Sequence, residues 1–306
     1  MRKITRKKEK KQKRLLIIGS LSLLLFLCVG YAAFQTNLSI TAKGNVKEKT
    51  RIIQSWGDTS QTDFHTDFYK QNIISVTFLD NANVPSNATE SWNVSEDKEN
   101  GGVMAWVIPN LNDNTKYDLY VGARGGVIAN ENSGYLFYNF SKIESINFND
   151  NFDTRDATSM YGMFYGTTDL MELDLQSFNT SKVTTMNIMF GYSGIKTIEL
   201  KNLDTTNVVD MRGMFWHCQN LTNIDLSTLN TSNVTIMRAM FMGCSNLTEV
   251  NLCSFDTSKV TTVQDMFSYT DKLNAVYVGN NWNLSNAITA NMFFSSNISS
   301  VTTGKC

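Results

Sequence analysis

A repeat of about 26 residues constrains this chain more than any other feature of its sequence. The dipeptide Met-Phe occurs six times, at spacings of 26, 25, 26, 26 and 26 residues. These pairs are Met163-Phe164, Met189-Phe190, Met214-Phe215, Met240-Phe241, Met266-Phe267 and Met292-Phe293. A fixed period in this range is typical of repeat proteins, in which each unit buries its apolar face against its neighbours. The sequence therefore predicts a row of similar units.

Each unit combines two apolar patterns. The segment LMELDL that begins at Leu170 has the L-x-x-L-x-L spacing, which predicts one short strand per unit with the strands parallel. The segment Ser181–Phe190 has apolar residues on one helical face, which predicts a short helix. The expected fold class is α/β: a leucine-rich-repeat-like solenoid with a short parallel strand and a short helix per repeat. We expect six to seven units over residues 136–306.

Residues 51–135 lie outside the repeat and contain four β-rich runs bounded by Asn, Pro and Gly. Because the end of a solenoid exposes an apolar cross-section, this region is predicted to be a β-rich N-terminal cap. A separate ligand-binding domain is the alternative, with Trp56, Trp92 and Trp106 as contacts, although Trp106 is expected in the core.

The N-terminus predicts export. Residues 1–14 carry nine Lys or Arg and one Glu and form a basic cytoplasmic n-region, followed by the apolar run 15–33. This run is either a signal peptide, cleaved after Ala32 or Ala33, or an uncleaved signal anchor that holds the protein in the membrane. Residues 34–50 are a linker. Either way, the body is expected to be extracellular or at the cell surface.

Charge and composition argue against several functions. The net charge of −1 combines +8 on residues 1–14 with −9 on the remainder, and an acidic body argues against nucleic-acid binding. His217 lies beside Cys218, but no third group that would orient a catalytic pair is evident. We therefore predict no enzyme activity, no catalytic residues, no cofactor and no metal site.

The cysteines leave two alternatives open. Cys218 and Cys244 occupy the same position in adjacent units, so they either form a disulfide or remain two stacked free thiols. The sequence suggests no partner for Cys253 or Cys306.

Two recurring pairs are predicted to be structural. The Met-Phe pairs share the period of the leucines, so they belong to the core. The Asn/Asp-Thr pairs, such as Asn179-Thr180, can satisfy turn backbone groups or cap the following helix, and are poor candidates for metal ligands.

One position of the leucine pattern varies from unit to unit, between its second and third apolar residues. Strand alternation predicts that these side chains face solvent, on the surface that repeat proteins use for binding. Like charges on adjacent units would repel, and either solvent ions or a basic partner must screen them. We predict a partner-binding ridge at this position, formed by Asp174, Glu199, Asp225, Asn251 and Tyr277.

Units such as FDTSKVTTVQDMFSYTDKLNAVYV resemble the repeat of BspA-like leucine-rich-repeat surface proteins of bacteria, and the resemblance covers residues 51–306. It implies a surface-exposed or secreted, non-enzymatic adhesion module that binds host or matrix proteins or surface polysaccharide. The stretch GYAAFQTNLSITAKGNV resembles the signal region of biofilm-fibre and camelysin-type proteins. This second resemblance implies the alternative function, a structural component of extracellular matrix or biofilm.

Overall fold

The computed structural model describes residues 51–304 and Cys306. Thr50–Cys306 forms one compact unit. Within the described part of the chain, no helix is both long enough and apolar enough to cross a membrane.

Several sequence predictions fall outside the described residues and stay predictions. They are the basic region 1–14, the apolar run 15–33, the cleavage candidates Ala32 and Ala33, and the linker 34–50.

The region before the repeat is rich in strands. A 3₁₀ turn at Asp63–His65 and a one-turn helix, α1, at Asp67–Lys70 come first. Five strands follow: β1 Ile73–Leu79, β2 Glu90–Asn93, β3 Met104–Pro109, β4 Tyr117–Gly122 and β5 Val127–Ile128. Strands β1, β3, β4 and β5 coincide with the four β-rich runs of the sequence, which confirms those assignments.

A five-stranded sheet joins this region to the first repeat unit. Its order is β2-β3-β4-β1-β6, where β6 is Ser145–Asn147. Strands β2, β3 and β4 are antiparallel neighbours, whereas β1 runs parallel to β4 and to β6. Val76 lies opposite Leu119 on one side and Ile146 on the other, so the sheet core runs continuously into the repeat.

The remaining strands are short and parallel. They are β7 Phe152–Asp153, β8 Glu249–Leu252, β9 Ala275–Val278 and β10 Thr302–Thr303. Strand β7 pairs with β5, and a three-stranded sheet has the order β10-β9-β8. The leucine-patterned segments that begin at Leu170, Ile195 and Leu221 form no strand. One strand per unit was therefore a wrong prediction for these three units.

The predicted α/β leucine-rich-repeat-like solenoid is also wrong. Among the described residues, the only helical segments are the 3₁₀ turn and α1, and both precede the repeat. The repeat region consists of short strands and turns. The described chain is thus nearly all β, with mixed sheets.

The backbone hydrogen bonds of Ser181–Phe190 explain why no helix forms there. An α-helix requires each amide to bond the carbonyl four residues back. Here alternate amides donate instead to carbonyl oxygens of the next unit at 2.8–3.0 Å: Met186 to Asp210, Ile188 to Arg212 and Phe190 to Met214. The bonds between units therefore take the place of helical bonds.

The same arrangement recurs along the repeat. Successive units are joined by parallel β-bridges, here called the bridge row, through Asn132, Ser159, Thr185, Asp210, Ile236, Thr262 and Ile288. Three residues beyond each bridge residue, one residue is left-handed, with φ between 47° and 62°. These residues are Tyr135, Gly162, Ile188, Gly213, Ala239, Asp265 and Asn291. A left-handed residue interrupts a right-handed helix, which gives a second reason for the missing helices.

The Met-Phe pairs lie in the core, as predicted. The methionines from Met163 to Met266 in these pairs are fully buried, and Met292 is 7% exposed. The aromatic rings form a stack with centroids 5.4–5.8 Å apart: Phe137, Phe164, Phe190, Phe215, Phe241, Phe267 and Phe293.

A row of buried threonines joins the units through hydroxyl groups. Its members are Thr154, Thr180, Thr205, Thr231 and Thr257, each of which donates to a carbonyl oxygen of the following unit. Thr205 Oγ1 donates to the Asn230 carbonyl at 2.9 Å and accepts from the Asn230 amide at 2.8 Å. The predicted role in satisfying turn backbone groups is confirmed, whereas the helix-capping alternative is wrong because no helix follows.

We expect Thr205→Val to destabilise the protein by about 1–3 kcal/mol, because it keeps the shape of the side chain but leaves both Asn230 backbone groups without their partner. Urea unfolding monitored by circular dichroism measures the change. Thr228→Val, at an exposed position, is the matched control and should change little. Equal stability of the two variants would show that the threonine row does not hold the units together.

Residues near the 3₁₀ turn cover one end of the phenylalanine stack. The Phe64 and His65 rings contact Phe140, and Trp56 stacks on His65 with centroids 4.4 Å apart. His65 is fully buried, and neither of its ring nitrogens has a hydrogen-bond partner among the described residues. Burial, with the nearby Lys70 charge, lowers the His65 pKa well below its ordinary value.

This burial predicts a loss of stability in mild acid. Unfolded histidine takes up a proton near pH 6.5, whereas folded His65 stays neutral, so stability is full above that pH and falls below it. The expected slope of the free energy of unfolding against pH is up to about 1.4 kcal/mol per pH unit. His65→Phe should remove most of the slope, and His217→Tyr, at a half-buried site, should remove less. A wild-type melting temperature that is constant between pH 7 and pH 5 would contradict this.

Candidate functional site

The predicted ridge lies at the ends of the leucine-patterned segments. Leu173 and Leu175 are buried, while Asp174 between them is exposed, and this alternation repeats in the next units. Glu199, Asp225 and Asn251 are likewise exposed, and Tyr277 is half-buried.

The structure brings three of the five ridge residues into one depression, here called the acidic groove. It has a volume of about 550 Å³ and contains Asp174, Glu199 and Asp225 together with Glu172. Asn251 and Tyr277 lie outside its lining, in β8 and β9. The groove crosses three successive units, so a partner would contact several units at once.

The backbone at the groove is unusual because it lacks the pairing found on both sides. Segments 172–174, 197–199 and 223–225 are bounded by paired strands, β1 with β6 on one side and β8 with β9 and β10 on the other. Among the described residues, no amide or carbonyl of these three segments has a backbone hydrogen-bond partner. The units are therefore joined along the bridge row, whereas the backbone bond next to the groove, from the Lys196 amide to the Met171 carbonyl at 3.0 Å, lies at its edge.

The ridge residues differ in charge between the paired strands and the unpaired segments. Where strands pair, the facing ridge positions are uncharged: Thr77 opposite Asn147, and Tyr277 between Asn251 and Thr302. Where strands do not pair, the three ridge positions are the carboxylates. Like charges directly opposite one another destabilise a strand pair, so repulsion disfavours pairing among the three carboxylate segments. It does not explain the missing pairing at the two ends of the groove, where the next ridge residues are the uncharged Asn147 and Asn251.

Two of the carboxylates also support their own turns. Asp174 Oδ1 accepts the Gln176 amide at 2.8 Å, and Asp225 Oδ1 accepts the Ser227 amide at 2.9 Å. Hydrogen bonds from the Ser227 side chain and amide hold the pKa of Asp225 below its usual range, so this carboxylate is ionised at neutral pH.

A lysine that the sequence prediction missed contacts the ridge. Lys201 Nζ lies 2.6 Å from Glu199 Oε2. The hydrogen bond and the charge of Glu199, with a contribution from Asp174, raise the Lys201 pKa. The signal was present in the sequence, since residues two apart on an extended chain share a face. One lysine beside four carboxylates leaves the groove strongly negative.

The four cysteines in the described part of the chain form one disulfide, which the sequence did not predict. Cys253 and Cys306 are bonded, with Cα atoms 5.7 Å apart. Cys218 and Cys244 are free, and their thiols donate to the carbonyl oxygens of Phe190 and Phe215.

The Cys218–His217 pair does not have the features of a nucleophilic site. Burial raises the pKa of Cys218 to about 12, which keeps its thiol protonated at neutral pH. His217 stacks on Tyr192 with centroids 4.7 Å apart. Among the described residues, no group of three or more His, Cys, Asp or Glu could hold a metal ion.

The tryptophans proposed as ligand contacts serve packing instead. Trp56 and Trp106 are 5% and 2% exposed, and Trp92 packs against the core. The expectation that Trp106 is a core residue is confirmed.

A family model described as "Mycoplasma protein of unknown function, DUF285" matches residues 132–194 and 192–303. Together the two matches span 172 of the 306 residues, counted from 132 to 303, and cover the repeat. No curated protein and no solved structure matches the chain significantly. The family match loosely fits a bacterial surface protein and does not confirm the resemblance to BspA-like leucine-rich-repeat proteins.

We expect the triple variant Asp174→Asn, Glu199→Gln, Asp225→Asn to be more stable than the wild type, because it removes the repulsion yet keeps the oxygens that accept the turn amides. Each carboxylate pair that is relieved should add about 0.2–1 kcal/mol to the free energy of unfolding. Each kcal/mol gained should raise the melting temperature by about 2–4 °C. Scanning calorimetry at low ionic strength measures it.

The matched control carries the same charge change outside the groove, as Asp204→Asn, Asp256→Asn, Asp271→Asn. It should not gain stability. A loss of stability in the groove variant would contradict charge repulsion as a cause of the missing pairing.

Proposed function

We propose that this chain, which belongs to the DUF285 family, is a non-enzymatic binding protein whose acidic groove takes up a positively charged partner surface. The observation that carries the proposal is the run of carboxylates across three units, Asp174, Glu199 and Asp225, in one open depression. A cationic partner would screen a repulsion that the folded protein otherwise tolerates.

The hydrogen bonds between units support this function. The bridge row and the threonine row hold the units in register through backbone and hydroxyl hydrogen bonds. Side chains on a rigid scaffold lose little conformational freedom on binding, which favours affinity. Complementary charge gives specificity and speeds association.

The disulfide supports a location outside the cytoplasm. Disulfides persist in oxidising compartments and are rare in the cytosol. The Cys253–Cys306 bond therefore favours the expectation, drawn from the N-terminal sequence, of a surface-exposed or secreted protein. An adhesion role towards basic host or matrix proteins follows from that location and the charge of the groove.

The test is binding of the purified protein to immobilised cationic matrix proteins, with acidic matrix proteins and neutral polysaccharides alongside. We expect saturable binding to the cationic proteins that weakens as salt is raised. The groove triple variant should bind about tenfold or more weakly, whereas the Asp204, Asp256, Asp271 control should bind like the wild type.

Binding that is equal for the two triple variants would contradict the groove as the site. Sedimentation of the same samples addresses the alternative function, since a structural matrix component would assemble into fibres rather than bind as a monomer.

A further inference from the structure

We propose that this protein has a second binding site, distinct from the acidic groove, that takes a neutral saccharide ring. The site is a pocket of about 520 Å³, here called the tyrosine pocket, between residues near α1 and the first repeat units. Its volume lies within the range of about 300–1,000 Å³ that is usual for small-molecule sites.

Two tyrosines form one wall of the tyrosine pocket. One face of the Tyr165 ring stacks on Tyr138, with ring centroids 4.7 Å apart and an angle of 12° between the ring planes. The Tyr192 ring stacks on His217, with ring centroids 4.7 Å apart and an angle of 19° between the ring planes. Tyr165 and Tyr192 are themselves tilted by 59°, with centroids 5.4 Å apart. Each ring is thus held in place by a stacked neighbour.

The rest of the lining is polar, and a ligand could replace water at several of its exposed side chains. Among the described residues, the side chains of Asp58, Gln71 and Asn139 have no hydrogen-bond partner. Lys70 is 5% exposed, and its ammonium group makes one hydrogen bond, to the Ser60 carbonyl at 3.1 Å. An ammonium group has three donors, so donor capacity remains for a ligand.

The combination of walls selects the class of ligand. A saccharide ring has a face of C–H groups and a rim of hydroxyls that both donate and accept. The C–H face suits the negative face of an aromatic ring, and the rim suits a mixture of carboxylate, amide and ammonium groups. The two carboxylates, Asp58 and Asp67, disfavour an anionic ligand, and the Lys70 ammonium offers a hydrogen-bond donor to the hydroxyls of a neutral one. A neutral sugar meets all of these conditions.

The repeat supplies a matched control for the pocket. Tyr269 occupies the same position as Tyr192, three units further along the chain. Its φ is 59° and it is 43% exposed, compared with 54° and 38% for Tyr192. Tyr269 does not line the tyrosine pocket. Tyr192 contacts the rings of Tyr165, Trp216 and His217, whereas Tyr269 contacts Phe294. The melting temperature of each alanine variant is therefore measured beside its binding, so that a loss of binding in a folded variant reports on the pocket.

The experiment titrates the full-length protein with glucose, galactose, mannose, N-acetylglucosamine and glucuronate, followed by saturation-transfer NMR. We expect saturable binding of at least one neutral sugar and weaker binding of the anionic glucuronate. Tyr192→Ala should weaken binding about tenfold or more, Asp58→Asn should weaken it less, and Tyr269→Ala should leave it unchanged.

Three results would overturn the inference: no saturable binding of any neutral sugar, equal losses in Tyr192→Ala and Tyr269→Ala, or glucuronate bound as tightly as the neutral sugars. None of these results bears on the acidic groove, because the groove triple variant leaves every residue of the tyrosine pocket in place.

Discussion

Hydrogen bonds from alternate amides of one unit to carbonyl oxygens of the next are the interaction on which the repeat depends. They fix the spacing of the units along the bridge row, and they bring the phenylalanine rings into a single stack. They also exclude a helix, because an amide that donates to the next unit cannot also donate four residues back. The threonine hydroxyls add a second row of bonds with the same period.

Because the bonds along the bridge row fix the spacing of the units, the pairing of the leucine-patterned segments can differ from unit to unit with their side chains. Where the ridge residues are uncharged, as at Asn251 and Tyr277, the leucine-patterned segments pair as strands. Where they are Asp174, Glu199 and Asp225, the segments stay unpaired and the acidic groove opens. Charge at one variable position per unit thus contributes to an open candidate binding surface, while the apolar residues on either side of it stay in the core.

The sequence predicted the parts of the structure that follow from periodicity. The 26-residue period, the buried Met-Phe pairs, the strands before the repeat and the exposure of Asp174 were all readable from spacing. The prediction of a helix at Ser181–Phe190 was wrong, because the helical spacing of apolar residues does not reveal left-handed positions such as Ile188. The groove required knowing which strands fail to pair, and the Cys253–Cys306 bond required the path of the chain. The binding role of the ridge stays a prediction.

Hydrogen exchange at neutral pH, resolved to single amides by NMR, tests the central claim that the units are joined along the bridge row and open along the groove. The account predicts slow exchange for the Met186, Ile188 and Phe190 amides, because they are hydrogen-bonded to carbonyl oxygens of the next unit. It predicts exchange faster by orders of magnitude for segments 172–174, 197–199 and 223–225. Equal protection of the two sets of amides would contradict it, since the groove segments would then be paired and no open acidic surface would exist.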